Sequence, residues 1–198
     1  AAAVAAVVVA VLVVPSHGWA ATFTVDSTAD DSDVNLGDGA CATSGGACTL
    51  RAAIEESNRN FPVDEADTII LPSGTYVTAL DGNAAGSYIP SIIGAGEAST
   101  LIQHTNASYF IPQGFSHPAF SALTLEGGSL NNAGGSLTLD HVTLSVRQIA
   151  QTGGGSFVMS NSTIRLAQNG EIVNYGGSSI TMVNSTVTAP TLGAGLEI

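Results

Sequence analysis

The chain of 198 residues carries four Lys+Arg, all of them arginine, against 16 Asp+Glu, for a formal net charge of −12. So acidic a chain has no cationic footprint for phosphates and excludes a nucleic-acid partner, while charged residues at only 10% exclude a coiled coil or an ordinary helical bundle. With 44% hydrophobic residues there is material for one sizeable core, and the length suits one domain.

Residues 1–20 come first. Ala1 to Val14 form an unbroken apolar run closed by Pro15, short of the roughly 20 residues that span a bilayer. The run leads into Gly18-Trp19-Ala20-Ala21, a small-x-small cleavage pattern. This reads as an incomplete secretory signal peptide, lacking its basic leader and Met, and predicts a secreted or cell-surface protein with no membrane span in the mature chain. A retained anchor or a buried core helix is the alternative. At the other end Leu192 to Ile198 shows no cap or sorting signal, so both termini read as fragment ends.

Thr22 to Ser27 alternate polar and apolar residues, as a first strand does. Residues 28–48 are a long Asp/Gly/Ser-rich loop containing both cysteines, Cys41 and Cys48. In an exported chain two cysteines closing a short Gly-rich loop most simply form a disulfide. A metal site there lacks further Cys or His partners. The period then changes: Leu50, Ala53, Ile54, Ser57 and Phe61 share one helical face. Thr49 is a suitable N-cap and Pro62 a stop, which predicts an amphipathic helix over 49–61.

Short strands follow. Thr68 to Leu71 is an apolar run, broken by Pro72-Ser73-Gly74 and resumed over Thr75 to Thr78. Four segments then share one pattern: Phe120–Leu125, Leu139–Leu144, Met159–Ile164 and Met182–Val187. The last three follow a Gly-Gly-Ser at 134–136, 154–156 and 176–178. A repeat of about twenty residues built from strands and Gly turns marks a solenoid, whose units bury their apolar faces only by stacking. The fold expected is an all-β, single-stranded parallel β-helix of right hand, with Asn161 stacked on Asn184 at a bend. An antiparallel sandwich is the alternative. Open strand edges invite aggregation, so the 49–61 helix is expected to cap the first turn through its apolar face, Leu50 and Ile54 foremost.

Cys48-Thr49-Leu50-Arg51-Ala52-Ala53-Ile54, followed by Asp67-Thr68-Ile69-Ile70-Leu71-Pro72-Ser73-Gly74-Thr75-Tyr76, resembles the CSLREA domain over about residues 22–80. The resemblance implies export, a parallel β-helix and an adhesin-like setting on a bacterial surface, with no established reaction. Thr49 stands where the motif has Ser and keeps the cap. Ala52 stands where it has Glu, so the reciprocal half of a capping box is absent. The organisation expected is a signal segment at 1–20, a CSLREA-like cap and first turn at 21–80, and β-helix repeats at 81–198.

Asp31, Asp33, Asn35 and Asp38 crowd the early loop with hard oxygen donors at near-alternate positions. Leu36 and Ala42 occupy the places where an EF-hand has Gly and a bidentate Glu. A solvated acidic loop is one reading and a looser Ca2+ site the other; no further cofactor is implied. Acids suited to catalysis are sparse along the repeats: Asp81, Glu97, Glu126, Asp140, Glu171 and Glu197, with Arg147 and Arg165 the only arginines beyond the cap. Asp140 and His141 are adjacent, which on a regular strand sends them to opposite faces. Ser116, His104 and His117 read as surface or turn residues. Asn106-Ala-Ser108 and the two Asn-Ser-Thr triplets match a glycosylation pattern, but Asn tolerates bends and the triplet recurs with the turn. The sequence therefore predicts a non-enzymatic binding or structural module for glycan or a surface protein. A polysaccharide lyase or hydrolase is the alternative.

Overall fold

The computed structural model describes residues 20–59, 67–79, 90–105, 109–111 and 117–190. Residues 1–19 of the signal-like segment, Phe61 and Pro62, Asp81, Asn106 to Ser108, Ser116 and Glu197 lie outside the described residues. Among the described residues no helix is long and apolar enough to cross a membrane.

The chain is a parallel β-helix of about four turns. Its first face is formed by β1 (Thr22–Thr24), β2 (Thr68–Leu71), β4 (Ser91–Gly94), the start of β7 (Ala119–Glu126), the start of β9 (Ser136–Thr152), β10 (Ser156–Ser160) and β12 (Ser179–Val183). The second face runs through β3 (Gly74–Thr78), β5 (Thr100–His104), the rest of β7, the middle of β9, the start of β11 (Thr163–Asn174) and β13 (Thr186–Thr188). β6 (Tyr109–Ile111), β8 (Ser129–Ala133) and the ends of β9 and β11 make a third face, which the sequence reading lacked. Every strand pairs in parallel with the equivalent strand of the next coil.

That registry turns the sequence repeat into columns. Inside the first face Ile69, Ile92, Phe120, Leu139, Met159 and Met182 are consecutive partners. Ile102, Leu125, Leu144, Ile164 and Val187 do the same inside the second, and Leu130, Ile149 and Ile172 inside the third. Fully burying such a side chain contributes about 1.5–3 kcal/mol, and only a neighbouring coil makes that burial available.

The bend between the first and second faces falls on Ala122, His141, Asn161 and Asn184, with φ of 52°, 53°, 50° and 48°. Asn is the non-Gly residue best suited to this left-handed conformation, which explains the recurring Asn-Ser-Thr. Asn184 Nδ2 donates to Asn161 Oδ1 at 3.5 Å, the expected stack. The Gly-Gly-Ser turns lie backbone on backbone: a Cβ added to Gly155 would sit 1.9 Å from the Gly135 carbonyl oxygen.

One helix, α1 (Leu50–Arg59), occurs among the described residues, and it lies over the first coil. Leu50, Ala53 and Ile54 join Phe23, Val25 and Ile69 in the core. Thr49 caps it as expected, its Oγ1 accepting from the Ala52 N–H at 3.0 Å and donating to the Asp31 carbonyl at 2.6 Å. The Cys41–Cys48 disulfide is formed, with the two Cα atoms 5.1 Å apart.

Polar contacts bind the 28–48 loop to the helix. The carboxylate of Glu56, 0% exposed, accepts from the Gly37 and Gly39 N–H groups at 2.5 Å each. Glu55 accepts from the Asp33 N–H at 2.9 Å and the Ser32 hydroxyl at 3.3 Å. Arg51 grips Asp30, Nη2 to Oδ2 at 2.6 Å and Nε to Oδ1 at 3.0 Å, and Thr78 Oγ1 donates to the same carboxylate at 2.8 Å. Burial alone raises the Asp30 pKa, but hydrogen bonds from Arg51, Thr78 and the Ala79 N–H, with the guanidinium charge, outweigh it and hold the group below its ordinary value.

Candidate binding face

The acidic loop is built as a scaffold. Asp33 Oδ1 accepts from the Asn35 N–H at 2.8 Å and its Oδ2 from the Ala42 N–H at 2.9 Å. Asp38 Oδ1 accepts from the Ala40 N–H at 2.9 Å, and Asp31 contributes its carbonyl to Thr49. Among the described residues no group of three His, Cys, Asp or Glu side chains is arranged to hold a metal ion. Asp33 and Asp38 thus hold backbone N–H groups of the loop with their carboxylates, while Asp31 and Asp33 also tie it to Thr49 and Glu55 of the helix through their backbone.

The repeats bring chemistry together elsewhere. Along β9 the pattern on the second face alternates, with Leu144 and Val146 buried and Thr143, Ser145 and Arg147 outside. Registry extends each outer position into a column. Thr124, Thr143, Thr163 and Thr186 stack in four consecutive coils, and beside them run Glu126, Ser145, Arg165 and Thr188. Coils are spaced about 4.8 Å apart and outer positions along a strand about 6.7 Å. The outcome is a flat polar lattice of hydroxyls with a carboxylate and two guanidinium groups.

Asp140 and His141 border this face, and here the expectation of opposite faces is corrected. The left-handed φ of His141 interrupts strand alternation, so its Nδ1 lies 3.1 Å from Asp140 Oδ2. Asp140 Oδ1 also accepts from Ser160 Oγ at 2.7 Å and Asn161 Nδ2 at 3.0 Å. The hydrogen bonds from Ser160, Asn161 and His141, in that order, bring the Asp140 pKa down to about 2. Ser160 donates to Asp140 rather than to His141, so the three do not form a nucleophile–base–orienter relay.

Of the sparse acids of the sequence, Glu97, Glu126 and Asp140 border the second face. Glu97 accepts from the Thr143 hydroxyl at 2.7 Å and, through its carbonyl, from Thr124 at 2.8 Å. Glu171 takes the Gln148 side-chain amide on the third face. His104 is a second correction: it points inward from β5 and is buried, whereas His117 is exposed as expected.

An inner polar column was also missed. Asn132, Gln151 and Asn174 are consecutive partners on the third face. Asn132 Nδ2 donates to Gln151 Oε1 at 3.0 Å, Gln151 Nε2 to the Gly135 carbonyl at 3.3 Å, and Asn174 Nδ2 to the Ser178 carbonyl at 2.9 Å. The signal was present as Ser129-Leu-Asn-Asn132, Gln148-Ile-Ala-Gln151 and Glu171-Ile-Val-Asn174, one further motif per coil.

No family model, no curated protein and no solved structure matches this chain.

Proposed function

We propose that the chain is an exported, cell-surface or extracellular β-helix acting as an adhesin-like binding module, and that it engages a hydroxyl-rich polymer, a glycan, along the outer face of the second sheet. The observation that carries this reading is the polar lattice: stacked threonines in four consecutive coils, flanked by Glu126, Ser145 and Arg165. Such a surface offers a linear ligand many weak hydrogen bonds at a regular spacing, with little rearrangement on either side. The export part rests on the signal-like segment at 1–20 and on the CSLREA-like motif at Cys48 to Ile54. One fold serves many functions, so the polar lattice and not the β-helix architecture supports this reading.

The test is size-exclusion chromatography of the purified chain with a panel of polysaccharides. Polymer eluting with the protein, and ceasing to do so when Thr163 and Thr186 are both replaced by Val, is the expected result. Polymer chains shortened by the protein would move the assignment to a polysaccharide-degrading enzyme, with Glu126 and Asp140 the residues to replace first. Neither co-elution nor shortening would leave a structural stalk as the function.

A further inference from the structure

We propose that the polymer recognised by this face is anionic, a polysaccharide carrying carboxylate or sulfate groups that are read by Arg147 and Arg165. The inference rests on the glycan-binding reading and names its ligand class.

Of the four arginines of the chain, Arg51 and Arg59 belong to α1 and Arg147 and Arg165 to the coil. Arg51 is committed to the cap, bonded to Asp30 and within 4.0 Å of Glu55. Arg147 and Arg165 are exposed, and neither enters an ion pair among the described residues. Arg165 projects from the second face as the direct partner of Ser145, and Arg147, two residues beyond Ser145, stands outside at the corner where the second face meets the third. Strand geometry puts their Cα atoms about 8 Å apart.

A chain with 16 acids has carboxylates available to neutralise two guanidinium groups. Those nearest are otherwise engaged. Asp140 already receives three donors, Glu97 receives the Thr143 hydroxyl and Glu171 the Gln148 amide. Glu126, the partner of Ser145 on the side opposite Arg165, is about 10 Å from Arg165 and about 8 Å from Arg147, and no ion pair joins it to either among the described residues. The face therefore has an acidic margin toward the cap and a cationic patch between β9 and β11, interleaved with Thr143, Ser145 and Thr163. Arginine's planar fork matches a carboxylate or sulfate in a two-point contact, and the intervening hydroxyls match those of a sugar ring. Because the net charge of −12 repels an anion at long range, discrimination comes from contact and not from steering.

The experiment is equilibrium binding of the full chain to polygalacturonate, a sulfated galactan and a neutral galactan of matched length. The comparison protein is the Arg147→Gln/Arg165→Gln double variant, whose thermal unfolding is followed in parallel as a folding control. Preferred binding of either anionic polymer over the neutral one, weakened roughly tenfold or more in the double variant with unfolding unchanged, is expected. Which anionic polymer binds assigns carboxylate or sulfate. Equal binding of all three with no effect of the double variant overturns this inference and leaves the glycan reading in place. Binding to none of them overturns both. Should the double variant unfold early, the charge-keeping Arg147→Lys/Arg165→Lys variant is compared instead: preference for the anionic polymer weakened there supports the two-point contact, and binding unchanged there overturns it.

Discussion

At the N-terminal end of the coil, Leu50 and Ile54 of α1 are buried against Phe23 and Ile69, and a disulfide and several carboxylates hold a loop around them. At the last described rung, Met182 continues the same inner column as Met159, yet it is 41% exposed where Met159 is 0%. Val183 beside it is also exposed. The two methionines sit in nearly the same local sequence. Met159 pairs with Leu139 on one side and Met182 on the other, whereas Met182 pairs with Met159 alone among the described residues: column membership is a property of the sequence pattern, but burial belongs to the stack. The helix performs at one end what a further coil performs in the middle.

Substitutions separate these contributions. Ile54→Ala is expected to cost about 2–5 kcal/mol, because the cap cannot close over the void. Met182→Ala should cost below about 1 kcal/mol, since the side chain is already partly in water. Urea unfolding of both checks the pair, and equal losses would break the distinction drawn between the ends. Replacing Cys41 and Cys48 together by Ala is expected to remove about 2–3 kcal/mol, the loop-closure entropy of so short a bridge. Native-state hydrogen exchange should show that loss in the 28–48 loop and α1 before it shows in β9 to β11.

Acid sharpens the same contrast. The folded pKa of Asp30 is lowered, so its contribution is present above the unfolded value of about 3.9 and fades as pH falls through the folded one. Exchange protection of the loop amides is expected to decline as pH falls below about 4, and Asp30→Asn should weaken the cap at neutral pH while flattening that decline. On the coil, Asp140 stays ionised down to about pH 2. The smallest effect expected is a gain. Ala122 holds the left-handed bend that Asn161 and Asn184 hold at no such steric cost. Ala122→Asn should therefore raise stability by about 0.5–1 kcal/mol in the same urea assay.

The coil was readable where the repeat is overt. Phe120, Leu139, Met159 and Met182 stand in register as their pattern indicated, and Thr49 caps α1 with the hydroxyl assigned to it. Features that depend on pairing across coils were not readable in this way. Ser145 and Arg165 are twenty residues apart in the chain and adjacent on the surface, so only the registry shows that they share a column. The Asp140–His141 contact was misread because alternation was assumed through a residue whose φ is 53°. Glu56 was unremarkable in sequence because its role is set by Gly37 and Gly39, which reach it from another segment.

The manner in which the 28–48 loop is tied down bears on resistance to proteolysis. A long polar loop is ordinarily where a protease cuts first, because the enzyme must draw several residues into its cleft in extended form. Here the N–H groups of Asp33, Asn35, Gly37, Gly39 and Ala42 are already held by carboxylates, and a disulfide closes the far end. Cleavage would require releasing these anchors together, so the segment richest in glycine and aspartate is shielded from digestion by the helix it encloses.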